Sequence, residues 1–89
     1  MKTFRLIISS PNGSIFDGEA FMLTLRGAVG DLAILAGHIP FTTTVKGGKV
    51  KIELPDETEK FGETDGGLLT VSPDGIVTLL SGSFKWIEE

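Results

Sequence analysis

The only histidine of this 89-residue chain, His38, lies in a fourteen-residue stretch that also holds three glycines and a proline. The stretch reads Gly27-Ala-Val-Gly-Asp-Leu-Ala-Ile-Leu-Ala-Gly-His-Ile-Pro40. Nucleophilic catalysis would need a serine beside His38 and a carboxylate to orient the ring. Ser9, Ser10, Ser14, Ser72, Ser81 and Ser83 all fall in ordinary strand or turn contexts, and none stands in a Gly-x-Ser-x-Gly elbow. A single histidine also excludes a histidine dyad and a multi-histidine metal site. The alternative is a loop histidine that packs locally and meets a partner.

Three other groups invite a chemical reading. Gly27-Ala-Val-Gly30 resembles a phosphate loop only in its glycines, because no Gly-x-x-x-x-Gly-Lys-Ser/Thr or Gly-x-Gly-x-x-Gly pattern is present and no helix follows. Residues 53–65 carry Glu53, Asp56, Glu57, Glu59, Glu63 and Asp65 against one base, Lys60. Calcium ligation is one reading of that run, although its spacing matches no EF-hand loop. The other is a solvated hairpin whose charges discourage edge-to-edge pairing. Phe84 and Trp86, two residues apart, share one face of a strand. They form either a stacking platform for a base or sugar, or a closure of the core that also meets a partner.

These residues need a scaffold, and composition bounds it. The length fits one domain, residues 1–89, with a thin core. Hydrophobic residues make up 40% and charged residues 22%, the balance of a globular protein. The absence of cysteine excludes disulfides and thiolate metal sites and favours an intracellular address. A net charge of -4 opposes nonspecific nucleic-acid binding. No apolar run is long enough to span a bilayer, and Arg5 interrupts the short apolar start that superficially resembles a signal peptide.

Hydrophobic alternation at period two predicts strands throughout. Phe4, Leu6 and Ile8 face inward, before a turn at Ser10-Pro11-Asn12-Gly13. Residues 14–16 form a short return strand ended by Asp17-Gly18. Phe21, Leu23 and Leu25 face inward in the next, with Met22 partly covered. Residues 32–36 form a brief buried strand. The threonine-rich segment 41–46 is broken by Gly47-Gly48, after which Val50, Ile52 and Leu54 face inward. A weak strand covers residues 59–62, and Gly66-Gly67 opens another with Leu69 and Val71 inward. After Pro73-Asp74-Gly75, residues 76–80 are almost continuously apolar, which predicts a strand covered on both faces. No segment shows a helical apolar period. The expected fold is all-β: an antiparallel sandwich or flattened barrel of eight to ten strands.

The pattern Gly27-x-x-Gly30-Asp31-x-x-Ile34-x-x-Gly37-His38-x-Pro40 resembles the amino-terminal domain of the epsilon subunit of rotary F-type ATP synthases. Gly48 before a Val-x-Ile strand, then Gly66-Gly67-x-Leu69-x-Val71, strengthens the likeness, as do Phe4-x-Leu6, Pro11-x-Gly13 and Phe16-x-Gly18. The resemblance runs over nearly the whole chain. It implies a ten-stranded sandwich at the foot of the central stalk, between the gamma shaft and the c-ring, on the cytoplasmic face of the cell membrane without inserting into it. It also implies a non-catalytic rotor part of a proton-translocating synthase, with no cofactor, metal or nucleic acid; whether the ion is H⁺ or Na⁺ is set in the ring.

By the same resemblance Ala28, Val29, Gly30 and Asp31 face the polar loops of the c-ring, with Asp31 placed to pair with basic ring-loop residues. Ser10, His38 and Thr43 fall where the family's sandwich meets gamma. The sequence stops at Glu89, about where the family's carboxy-terminal helical hairpin would begin, as either a naturally short form or a fragment; the expected fold is without that hairpin, and its ATP-sensing and inhibitory roles are not carried over. Phe84-Lys85-Trp86-Ile87 departs from the small polar residues usual there, and exposed would form an apolar patch. The competing reading is a free-standing β-sandwich ligand-binding module, which predicts a concave pocket with convergent polar groups.

Overall fold

Inward residues at every second position generate the strands. The structure, a computed structural model, describes residues 2–88; Met1 and Glu89, and with them the stop at Glu89 noted above, lie outside the described residues. The strands are β1 (Phe4–Ser10), β2 (Gly13–Ala20), β3 (Met22–Gly27), β4 (Gly30–Leu35), β5 (Phe41–Glu53), β6 (Glu59–Val71), β7 (Val77–Ser81) and β8 (Phe84–Ile87). Hydrogen bonding orders them β2-β1-β7-β6-β5-β3-β4, with β8 added to β6. The sheet folds over on itself around one core. Leu6 and Ile8 of β1 meet Leu23 of β3, Ile34 of β4, Ile52 of β5 and Leu79 of β7, all fully buried. Burying each such side chain contributes about 1.5–3 kcal/mol.

The all-β sandwich is as expected, and four details differ. First, β1 and β7 run parallel, Leu6 opposite Val77 through Ser9 opposite Leu80. The strands are far apart in sequence, so no hairpin forces them antiparallel.

Second, Asp17-Gly18 does not end β2. The Asp17 carboxylate accepts bonds from Arg5 Nε at 3.0 Å and Nη2 at 2.9 Å, and Gly18 stays in the ladder opposite Leu6.

Third, the glycine pairs at 47–48 and 66–67 bend strands instead of breaking them. Pairing of β5 with β6 keeps one register from Phe41 opposite Val71 to Glu53 opposite Glu59. The first half of β6 pairs with β8 and the second half with β7, so one long hairpin serves both layers. Gly66 has φ of +117°, and a Cβ there would stand 2.9 Å from the Val45 carbonyl oxygen. A Cβ on Gly67 would overlap the Leu80 carbonyl oxygen. Only glycine permits both the conformation and the close approach. Eight strands therefore replace a possible ten.

Fourth, the strand at 32–36 is not fully buried. It is the edge strand β4, with Ile34 enclosed and Leu35 44% exposed.

The last strand closes a seam. The Phe84 ring lies where a Cβ on Gly62 would stand, and Trp86 meets Phe16 of β2 edge-on at 6.2 Å and Phe84 at 5.1 Å. Phe84 thus packs against the core, while Trp86 lies outside it with Lys60 4.8 Å over an indole that remains 40% exposed. Beside this seam the buried Thr64 and Ser81 hydroxyls share a 2.5 Å bond. The Ser81 hydroxyl donates to the Ser83 carbonyl oxygen, and the Gly66 amide donates to Thr64 Oγ1, so neither hydroxyl is orphaned.

Candidate docking site

The glycine-framed stretch folds as the β3–β4 hairpin. Gly27 and Gly30 form its closing pair, and Ala28-Val29 is a two-residue turn. Gly30 has φ of +142° with nothing within 4 Å of a Cβ position, so backbone conformation and not space requires glycine there. The turn pushes Val29 wholly into solvent. Asp31 stands opposite Arg26, but Nε and Oδ1 are 3.9 Å apart and both side chains are largely exposed. Such a pair contributes little by itself and leaves both charges available to a partner.

A shallow groove of about 220 Å³ runs beside this turn, lined by residues 27–32 with Phe41 and Thr43. The structure thus brings Thr43 next to Ala28, Val29, Gly30 and Asp31. His38 belongs to the same corner: its ring lies 4.8 Å from that of Phe41, and its Nδ1 is 2.9 Å from the Ile39 carbonyl oxygen. A turn at Ala36-Gly37 holds it there, closed by the His38 amide donating to Leu35. Ile39 projects from the corner, 73% exposed.

Ser10 lies elsewhere, at the end of β1. Its hydroxyl accepts from the Asn12 amide at 3.2 Å. With Ser9 and Pro11 it flanks Leu80, Ser81 and Gly82 around a cleft of about 400 Å³.

Between these two places runs a face that the sequence reading missed. Residues 76–80 were expected to be covered on both sides. Instead Val77 and Leu79 are buried while Leu80, on the opposite side, is 51% exposed. Pairing extends this outer side into two rows. One is Ser9, Leu80, Leu68 and Thr44; the other is Ile7, Thr78, Thr70 and Thr42. None of these eight residues is charged, in a chain of 22% charged residues; the second row continues from Ile7 to Asp17 of β2, whose ion pair with Arg5 bounds the face. Each row crosses three inter-strand steps, roughly 14 Å. The apolar residues at both phases of β7 were the signal in the sequence. Thr43, though between Thr42 and Thr44, points to the other side, towards the groove at the β3–β4 turn.

The acidic segment is the tip and flanks of the β5–β6 hairpin. Asp56 accepts from the Thr58 amide at 3.1 Å and its hydroxyl at 2.5 Å, which holds the Asp56 carboxyl below its ordinary value. Glu59 takes Lys51 at 3.1 Å, and Asp65 accepts from the Ser83 amide at 2.8 Å. The side-chain bond from Lys51 to Glu59, then their charge attraction, raises the Lys51 pKa. Among the described residues no three metal-ligating side chains converge, and no helix is long and apolar enough to cross a membrane.

Comparison with known proteins identifies the family and the fold. Residues 3–86 match the family model for the β-sandwich domain of the ATP synthase delta/epsilon chain. The chain is 40% identical over 88 residues to the sodium-ion-specific ATP synthase epsilon chain of Acetobacterium woodii. The match covers 99% of this chain and 65% of that protein, so the chain spans about two-thirds of the relative's length. Two solved assemblies contain the same fold. One is the OSCP/F1/c-ring part of the Euglena gracilis mitochondrial ATP synthase, with TM-score 0.91, 20% identity, and 98% of this chain and 55% of that one covered. The other is the central stalk and c-ring of the Tetrahymena thermophila mitochondrial ATP synthase, with TM-score 0.77, 16% identity, and 94% and 66% covered.

Proposed function

Because this chain belongs to the ATP synthase delta/epsilon chain family, as its β-sandwich domain, we propose that it is a rotor part of a rotary ATP synthase. It joins the gamma shaft to the c-ring, couples ion flow to ATP synthesis and hydrolysis, and performs no bond chemistry. It works at the cytoplasmic face of the membrane as a peripheral part of the complex.

The observation that carries this reading is the bare outer side of β7. A strand apolar at both phases expects cover on both faces, and the described residues cover only one. Gamma supplies the other, lying across Leu68 and Leu80, reaching Ser10 at one edge and wrapping round the start of β5 to the His38–Thr43 corner on its other side. The lack of charge on this face suits a partner that must dock tightly, since no ion has to be stripped of water.

The β3–β4 turn meets the c-ring. Ala28 and Val29 insert between ring loops, Gly30 fixes the shape of the turn, and Asp31 orients against basic groups. Two contacts on separate surfaces let the domain act as a wedge that carries torque.

The test is co-purification of the tagged chain with gamma and the c-ring from membranes, with nucleotides and simple sugars titrated against the isolated chain in parallel. Capture of both partners is expected. Saturable binding of a nucleotide or sugar with no capture of gamma would instead favour a free-standing ligand-binding module.

A further inference from the structure

The turn between β1 and β2 carries an Asn12-Gly13 dipeptide, and both residues are exposed. The Asn12 carboxamide makes no hydrogen bond among the described residues; only its backbone amide is engaged, by Ser10. Gly13 has φ of +125°, and no atom lies within 4 Å of where a Cβ would stand. A side-chain amide that is free, next to a residue without a Cβ, meets the least hindrance to attack by the following backbone nitrogen.

We propose that Asn12 is a site of spontaneous deamidation that places a negative charge at the edge of the uncharged outer face. The Gly13 backbone nitrogen, losing its proton, bonds to Asn12 Cγ. The bond from Cγ to the side-chain nitrogen breaks, and that nitrogen leaves with the proton as ammonia. Water then opens the resulting five-membered imide at either carbonyl, giving aspartate or isoaspartate. The isoaspartate form also routes an extra methylene through a two-residue turn whose pairing is fixed by Ser10 opposite Gly13.

The consequence rests on the proposed docking of gamma. Pro11, next to Asn12, shares a cleft with Ser9, Ser10 and Leu80. A carboxylate there would have to be desolvated, or left at the edge of the contact, when gamma docks. Aged, unassembled chain would therefore be discriminated against during assembly.

Two measurements keep the chemistry separate from the docking. The folded chain is held in mildly alkaline buffer and its peptides are mapped by mass and by isoaspartate content. Conversion should occur at Asn12, slow several-fold in Gly13→Ala, and vanish at that position in Asn12→Gln, whose longer side chain closes a ring less readily. An Asn12 peptide still unconverted after prolonged incubation would overturn the proposal. Separately, Asn12→Asp should bind gamma several-fold more weakly than the parent chain. Equal binding, with conversion observed, would leave the modification standing and overturn its consequence.

Discussion

Leu68 of β6 and Leu80 of β7 stand directly opposite one another across an antiparallel ladder, and both point away from the core, 38% and 51% exposed. Each is flanked by residues that face inward, Leu69 and Leu79, which are fully buried. The same two strands therefore build the core with one side and an apolar outer surface with the other. The paired leucines occupy the two central strands of this four-strand face, with β1 on one side and β5 on the other.

That arrangement predicts how a charge would act. Leu80→Asp removes no member of the buried core but loses the cross-strand pair with Leu68 and puts a poor strand former in β7, so its cost to stability should stay at about 1–2 kcal/mol with the fold kept. Binding to gamma should fall by tenfold or more, since about 1.4 kcal/mol suffices for that and burying an unpaired carboxylate costs more. Thermal unfolding together with a gamma pull-down separates the two effects. Undiminished capture of gamma would move the interface off this face.

The two glycine sites should respond differently. Gly30→Val forces a β-branched residue into φ of +142° where space is open, so a loss of about 1–3 kcal/mol with the fold kept is expected. The turn would change shape, and ATP synthesis driven by ion flow should drop in assembled complexes. Gly67→Ala meets the Leu80 carbonyl and should cost about 3 kcal/mol or more by prising β6 from β7. Denaturant titration of both variants checks the order.

His38→Ala loses a ring contact with Phe41 on a partly exposed corner, and should alter stability by less than about 1 kcal/mol. Weaker binding to gamma is the expected functional result. Unchanged affinity in a direct titration would take His38 out of the contact.

Asp17 sets a pH dependence. Its hydrogen bond with Arg5, opposed by partial desolvation and helped by the Arg5 charge, holds its carboxyl below the ordinary value. The folded state thus binds the proton less readily than the unfolded one. The stability from this pair is complete above the unfolded-state pKa, about 4, and is lost as pH falls through the lower folded-state value. Asp17→Asn should be less stable than the parent chain at neutral pH, and the gap should close in acid. A gap independent of pH in melting curves would assign the pair no role.

The sequence by itself determined the class of fold, because period-two alternation from Phe4 to Ile8 and from Val50 to Ile52 leaves each strand one way to face the core. It also marked Gly27 to Gly30 as a tight loop, since the two glycines admit a sharp local shape; that the loop closes a hairpin of β3 on β4 came from the pairing. Tertiary structure decided what depends on residues far apart in the chain. Gly47-Gly48 and Gly66-Gly67 look like strand breaks when read singly, and become a bend only because they sit near each other across a ladder in constant register. Leu80 looks buried in a run of apolar neighbours, and is half exposed because, among the described residues, no layer stacks on the outer side of β7. Local pattern tells which residues avoid water; only the packed layers tell which of them are covered and which stay exposed.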